Sequence, residues 1–329
     1  MRRATLTKIS NYADAMLFVG LAAIWGTAYL AIDVGLQSAP PVTLAALRYD
    51  VAGAVLLVAA LAGPIRRGER WRPRDAEEWK LVLVGGLLVV GLHFGLLFAG
   101  QQYVSGGVAS VVMGLTPVLT PVFALVLLSD ERLDSRETVG VLLGLLGVVI
   151  VARPAHGGGS GRHIAVGVAL LFLSAASLAL GSVLTRRHRT EMGVIPTQAW
   201  MMGFGALVLD ALVFALPGES FARVEPSVEF VAALAYLSVV ASVGGFVAYF
   251  HLLDRFGPNE ATLVSYAVPM FAALSEWLVL GTVVSATTAI GFGIILCGFA
   301  TVKSRAIRRA ATPTPTGPRW RPRPRRPVR

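Results

Sequence analysis

Four ionisable side chains stand inside stretches that are otherwise apolar: Arg48, His93, Asp210 and Glu276. Within hydrocarbon a charge is costly unless it is paired or hydrated, so each is a candidate for carrying chemistry. Arg48, Asp210 and Glu276 are read as coupling or ion-pair candidates. Asp50 lies two residues beyond Arg48, roughly 200° round a helix, so those two do not pair locally and Arg48 either pairs elsewhere or meets substrate. His93 is either a proton relay or a neutral, hydrogen-bonded packing residue. Prolines mark further candidates. Pro117 and Pro121 are one turn apart, and Pro269 recurs later. Each removes a backbone hydrogen bond, which loosens the carbonyls of Met113, Pro117 and Ser265. Trp25, Tyr29, Trp200 and Tyr266 are placed to wall an amphipathic cavity, since they stand away from the span ends where aromatic anchors collect.

The elements that position these residues are long apolar runs. Leu81 to Ser129 holds 49 residues without Asp, Glu, Lys or Arg, and Trp277 to Val302 holds another 26. A bilayer core takes about 20 apolar residues per helix. The expected spans are 15–33, 41–61, 81–101, 106–128, 137–152, 164–184, 195–216, 230–250, 260–280 and 284–302. Their continuous apolarity, without alternation, points to helices instead of a barrel. The first is read as an uncleaved helix, because more spans follow it.

Composition agrees. The 329 residues are 55% hydrophobic and 15% charged, against roughly 25% charged in soluble domains. The single Cys297 excludes an internal disulfide framework and a multi-cysteine metal site. The net charge of +10 invites a nucleic-acid reading, but its distribution argues otherwise. With the N-terminus inside, 25 of the 29 basic residues fall in segments expected on the cytoplasmic side. Ten of them lie in residues 303–329, a Pro/Arg-rich tail suited to anionic lipid headgroups. The expectation is an inner-membrane, multi-pass protein with both termini cytoplasmic, no nucleic-acid partner, and an oligomeric state left open.

The chain also repeats itself. Tyr103–Arg153 lies over Arg255–Lys303, matching Ala109 with Ala261, Pro117 with Pro269, Gly140 with Gly291 and Gly147 with Gly298. Trp25-Gly26-Thr27 lies over Leu180-Gly181-Ser182, and Pro41 over Pro196. Five spans per copy is odd, so the second copy enters from the opposite face. Inverted repeats of this kind are the architecture of many secondary transporters, whose site lies near the midplane between the halves.

The order of these motifs resembles the drug/metabolite transporter superfamily of the EamA type over residues 13–303. The residues that carry it are Trp25-Gly26-Thr27, Leu47-Arg48-Tyr49, Leu115-Thr116-Pro117 through Asp130-Glu131, and Pro269. Thr282-Val283 stands where that family usually has a second acidic position. The resemblance implies an all-α membrane protein of ten transmembrane helices as two inverted five-helix repeats. Its divisions are a basic cytoplasmic tail (1–14), a first repeat (15–152), a Gly-rich external linker (153–163), a second repeat (164–303) and a disordered Pro/Arg-rich cytoplasmic tail (304–329). It also implies alternating access around a cavity lined by the first, third, fourth, sixth, eighth and ninth helices, and export of amino acids or related metabolites. No phosphate loop, zinc-binding helix or nucleophile elbow is present, and Gly157-Gly158-Gly159-Ser160-Gly161 lacks the Lys a phosphate loop needs. Neither a cofactor nor a metal nor an enzymatic reaction is expected. A membrane-embedded enzyme or receptor without transport is the competing class.

Overall fold

A computed structural model describes residues 2–63, 70–127, 135–152, 161–188, 190–256 and 263–302. The Asp130-Glu131 position, most of the 153–163 linker and the 304–329 tail lie outside the described residues. The described residues are helical, without strands. The helical runs are α1 (Arg2–Leu36), α2 (Pro41–Ala62), α3 (Ala76–Gln101), α4 (Gly106–Leu127), α5 (Ser135–Val151), α6 (Gly161–Thr185), α7 (Val194–Ala215), α8 (Val228–Phe256), α9 (Val264–Leu280) and α10 (Ala286–Val302). Among the described residues, seven helices are long and apolar enough to cross a membrane, and three shorter apolar ones, within α5, α9 and α10, accompany them. Large apolar side chains such as Val58, Leu142, Leu207, Phe214, Leu278 and Ile290 face outward. A perimeter of that kind is stable against acyl chains and costly against water.

Helix ends follow local chemistry more closely than charge. α3 begins at Ala76, not 81, because the Asp75 carboxylate caps it by accepting from Glu78 N at 2.9 Å. α1 continues a turn past its expected end at residue 33, so Asp33 stands inside a helix. α6 starts at Gly161 and takes up the last residues assigned to the linker. α4 is interrupted at Gly114-Leu115, where the ladder tightens to three-residue steps, and resumes at Thr116 with Pro117 in the first turn. Proline is tolerated there because a first-turn N–H has no intrahelical partner. Pro121 and Pro269 lie inside helical segments.

Two helices widen at corresponding places. α3 has π geometry over Gly85–Leu92 and α8 over Tyr236–Gly244. A widened turn leaves carbonyls for outside donors, and helices are often interrupted this way at functional sites. Ser177 Oγ of α6 donates to Leu88 O at 2.8 Å. Trp25 Nε1 of α1 donates to Ala241 O at 3.1 Å.

The packing follows one pattern. α2 lies on α7 and α5 on α10; α1 packs on α9 as α6 packs on α4; α3 packs on α6 and α7 as α8 packs on α1 and α2. Small residues permit the closest approaches. At Gly140 a Cβ would fall 2.5 Å from Gly298 O, and at Gly147 one would fall 2.7 Å from Gly291 O. The Trp25-Gly26-Thr27 motif has the same use, because a Cβ on Gly26 would meet Phe271 and the backbone of α9.

Polar clasps tie the ends. At one end Glu78, buried in the first turn of α3, accepts from Arg70 Nη2 (2.6 Å), Arg74 N (3.0 Å), Thr190 Oγ1 (3.2 Å) and Glu191 N (3.1 Å). At the start of α2, Glu219 Oε2 accepts from Thr43 N (2.9 Å) and Thr43 Oγ1 (2.8 Å). Each carboxylate takes a threonine hydroxyl and a backbone N–H.

Candidate functional site

The two polar centres inside the bundle lie at helix junctions. The first is built on Arg48 of α2, which is 4% exposed. Its Nε donates to Ser242 Oγ at 2.9 Å, and that hydroxyl donates in turn to Leu237 O at 2.9 Å within the widened stretch of α8. The guanidinium carbon lies 4.7 Å from the Phe94 ring centre, 5.2 Å from Tyr49 and 5.8 Å from Phe98. Such faces stabilise a cation by their quadrupole, an effect that grows when water is excluded. Tyr29, Tyr49 and Tyr236 lie in its electrostatic range, and no carboxylate among the described residues pairs with it. Arg48 is thus a held, positive group with no counter-ion among the described residues.

His93, the first residue after the widened stretch of α3, lies close by. Its ring packs on Phe94 with centres 4.2 Å apart. Nδ1 lies 2.8 Å from Ser174 Oγ, while that hydroxyl donates to His93 O at 2.8 Å. The hydroxyl proton is committed to the backbone, so the ring proton belongs on Nδ1 and the bond joins α3 to α6. This arrangement suits the packing reading of His93.

The second centre lies where α1, α3, α4 and α9 meet. Asp33 Oδ1 accepts from Gln101 Nε2 at 2.7 Å and Asp33 Oδ2 from Gly106 N at 3.2 Å; Gln101 Nε2 also donates to Tyr29 O at 2.6 Å. Glu276 Oε1 accepts from Gly107 N. Ser105 caps the same helix start. A cavity of about 260 Å³ opens onto Glu276, Ser105, Tyr103, Ser285 and Thr288.

Arg48 and His93 both pack on Phe94, Tyr29 lies within electrostatic range of Arg48, and Tyr29 and Glu276 both border Gly106. Trp25 packs on Phe246 and Tyr249 of α8, centres 6.1 and 5.5 Å apart. Other candidates lie apart. Trp200 joins Trp71 and Trp79 and donates to Trp71 O at 2.8 Å, near the Glu78 clasp. Tyr266 stacks on Phe299 of α10, with centres 4.1 Å apart. Asp210 faces Asp50 across α2 and α7. Met113 is buried where α4 breaks, before Pro117; Ser265 is half-buried and Pro269 buried on α9. The sequence reading missed Asp33, Gln101 and Glu78. Ser105 before Gly106-Gly107, a cap followed by an unencumbered first turn, was the legible signal for the second centre.

Comparison with known proteins identifies the architecture. The profile of the EamA-like transporter family matches twice, over residues 14–153 and 165–303. The chain is similar to the uncharacterized transporter YvbV of Bacillus subtilis, 27% identical over 93% of this chain and 97% of that protein. It is also similar to the uncharacterized inner membrane transporter YedA of Escherichia coli, 29% identical over 82% of this chain and 88% of that one. One crystal structure aligns with a TM-score of 0.58 and 25% identity over 91% of this chain and 99% of its own. Two matches of one profile in a helical, lipid-facing bundle leave one conclusion: the chain belongs to the EamA-like transporter family.

Proposed function

We propose that this protein is a secondary transporter that exports a small carboxylate-bearing metabolite, of the amino-acid class, by alternating access between two inverted five-helix halves. The observation that carries the reading is the exchange of packing between the two matched regions. Replacing α1–α5 by α6–α10, and the reverse, turns α1 on α9 into α6 on α4, and α3 on α6 into α8 on α1. The Gly140–Gly298 approach likewise becomes Gly291–Gly147. Halves related this way adopt each other's conformations at similar energy, which is what opening to either face requires.

Arg48 supports the substrate class. A buried guanidinium without a counter-ion gains most from a carboxylate, to which it donates charge-assisted bonds. The aromatic faces around it favour an apolar substrate body. On this reading both termini lie in the cytoplasm of a cell whose inner membrane holds the protein, and the basic tail meets anionic lipid.

The test is uptake of labelled amino acids, their amides and their decarboxylated amines by proteoliposomes holding the purified protein. Flux of carboxylates exceeding that of the matched amides supports the proposal. Protein-independent flux across the whole panel contradicts it and leaves the enzyme or receptor class. Faster flux of the amines overturns the role given to Arg48.

A further inference from the structure

The second polar centre has a charge composition that the substrate site does not explain. Asp33 and Glu276 converge on one helix start, Asp33 from α1 and Glu276 from α9. Gly106 N is bonded to Asp33, and a Cβ on Gly106 would fall 2.7 Å from Glu276 Oε1. A Cβ on Gly107 would fall 3.1 Å from Glu276 Oε2. The two carboxyl groups are thus held by the backbone N–H groups of adjacent residues at one helix start. Glu276 is 1% exposed.

No Lys or Arg among the described residues pairs with either carboxyl group. The groups that face them are Tyr29 on α1, Gln101 on α3, Tyr103 and Ser105 before α4, and Thr288 on α10 across the cavity. His163, at the start of α6, lies behind Tyr103 with ring centres 6.1 Å apart. Among the described residues, neutral groups and the helix start oppose the acidic pair, and that start supplies roughly half a positive charge. Gln101, also buried, adds an independent sign. Its Nε2 bonds to Asp33, yet its Oε1, on the same amide, has no partner. An acceptor buried beside a carboxyl group, without a donor, is satisfied when that carboxyl carries a proton and the amide turns to receive it.

We propose that the Asp33–Glu276 pair is a proton-binding site that couples proton movement to separation of α1 and α9 from the start of α4. Two carboxyl groups gathered on adjacent N–H donors share one proton, because both cannot be ionised side by side at low cost. With one proton the pair carries a single negative charge, met by Gly106 N and Gly107 N, while the turned Gln101 amide receives the proton on Oε1. Its loss through the cavity leaves two negative charges with no cation opposite. Repulsion then parts helices that come from both matched regions. The role in flux rests on the transporter reading, whereas the proton itself is tested without flux.

The first test uses dicyclohexylcarbodiimide, an apolar reagent that adds to protonated carboxyl groups within membranes. Purified full-length protein is treated from about pH 5 to about pH 9, a range wide enough to span a coupled pair, and digested for mass spectrometry. The expected result is an adduct on the peptide holding Glu276 or Asp33 that falls as pH rises and is lost at the substituted position in Glu276→Gln or Asp33→Asn. No adduct on either residue at any pH overturns the site. Protection by Na⁺ at fixed pH overturns the proton as its ligand.

The second test compares pH-gradient-driven accumulation with exchange at zero gradient. Glu276→Gln is expected to lower accumulation about tenfold or more, while exchange stays within about twofold of wild type. Accumulation that survives in Glu276→Gln overturns the coupling. Absence of both activities in wild type, with the adduct present, places the failure in the transporter reading alone.

Discussion

Arg48 decides most at the residue scale. Its guanidinium is fixed from one side by Ser242 and by the Phe94 and Tyr49 faces, and no carboxylate among the described residues neutralises it. A hydrogen bond to a charged group contributes about 1.5–3 kcal/mol, equivalent to roughly ten- to a hundredfold in affinity. Arg48→Ala should therefore weaken half-saturation for a carboxylate substrate by that factor, and Arg48→Lys should recover part of it, since a point charge remains but the planar fork does not. Amide analogues should bind both variants alike. Equal loss for acids and amides would instead assign Arg48 to packing. Arg48 and Glu276 stood out in the sequence because a charge in an apolar run is conspicuous. Asp33 did not, since it ended the first expected span and so read as a boundary. Glu78 was hidden for the same reason.

At the element scale, the glycines of α5 and α10 bring two short helices into backbone contact. Gly140 faces Gly298 and Gly147 faces Gly291, each with no room for a side chain. Forcing bulk into such a seam typically costs 1–3 kcal/mol, about the cost of overpacking a core. Gly147→Leu should therefore lower the melting temperature in detergent, and Gly291→Leu should lower it by a comparable amount because it wedges the same crossing from the other side. A melting temperature unchanged in both would contradict the seam. The repeat alignment had paired Gly140 with Gly291 and Gly147 with Gly298 as equivalents. Their actual partners are the crossed pairs, which an alignment cannot supply because contact depends on how the helices meet. Element type and most boundaries were legible from apolar run length. The widened turns of α3 and α8 were not, since Gly85–Leu92 and Tyr236–Gly244 read as ordinary apolar helix. Donors on other helices, Ser177 and Trp25, complete those turns, and such partners are set by packing.

For the whole molecule, charge, apolar runs and internal repetition foretold a lipid-embedded helical bundle, because each constraint acts on long stretches of chain. Which side chains meet one another was less legible. Tyr29, Arg48 and His93 gather, while Trp200 and Tyr266 join other aromatic clusters because helix rotation decides which flank a ring meets. The central claim is that one site faces the two sides of the membrane in turn. Trans-stimulation tests it most directly. Proteoliposomes are loaded with labelled substrate, and efflux is timed with and without unlabelled substrate outside. A carrier whose loaded form returns faster than its empty form predicts that outside substrate accelerates efflux severalfold. Efflux that is saturable at neither face and unaffected by outside substrate would contradict the account.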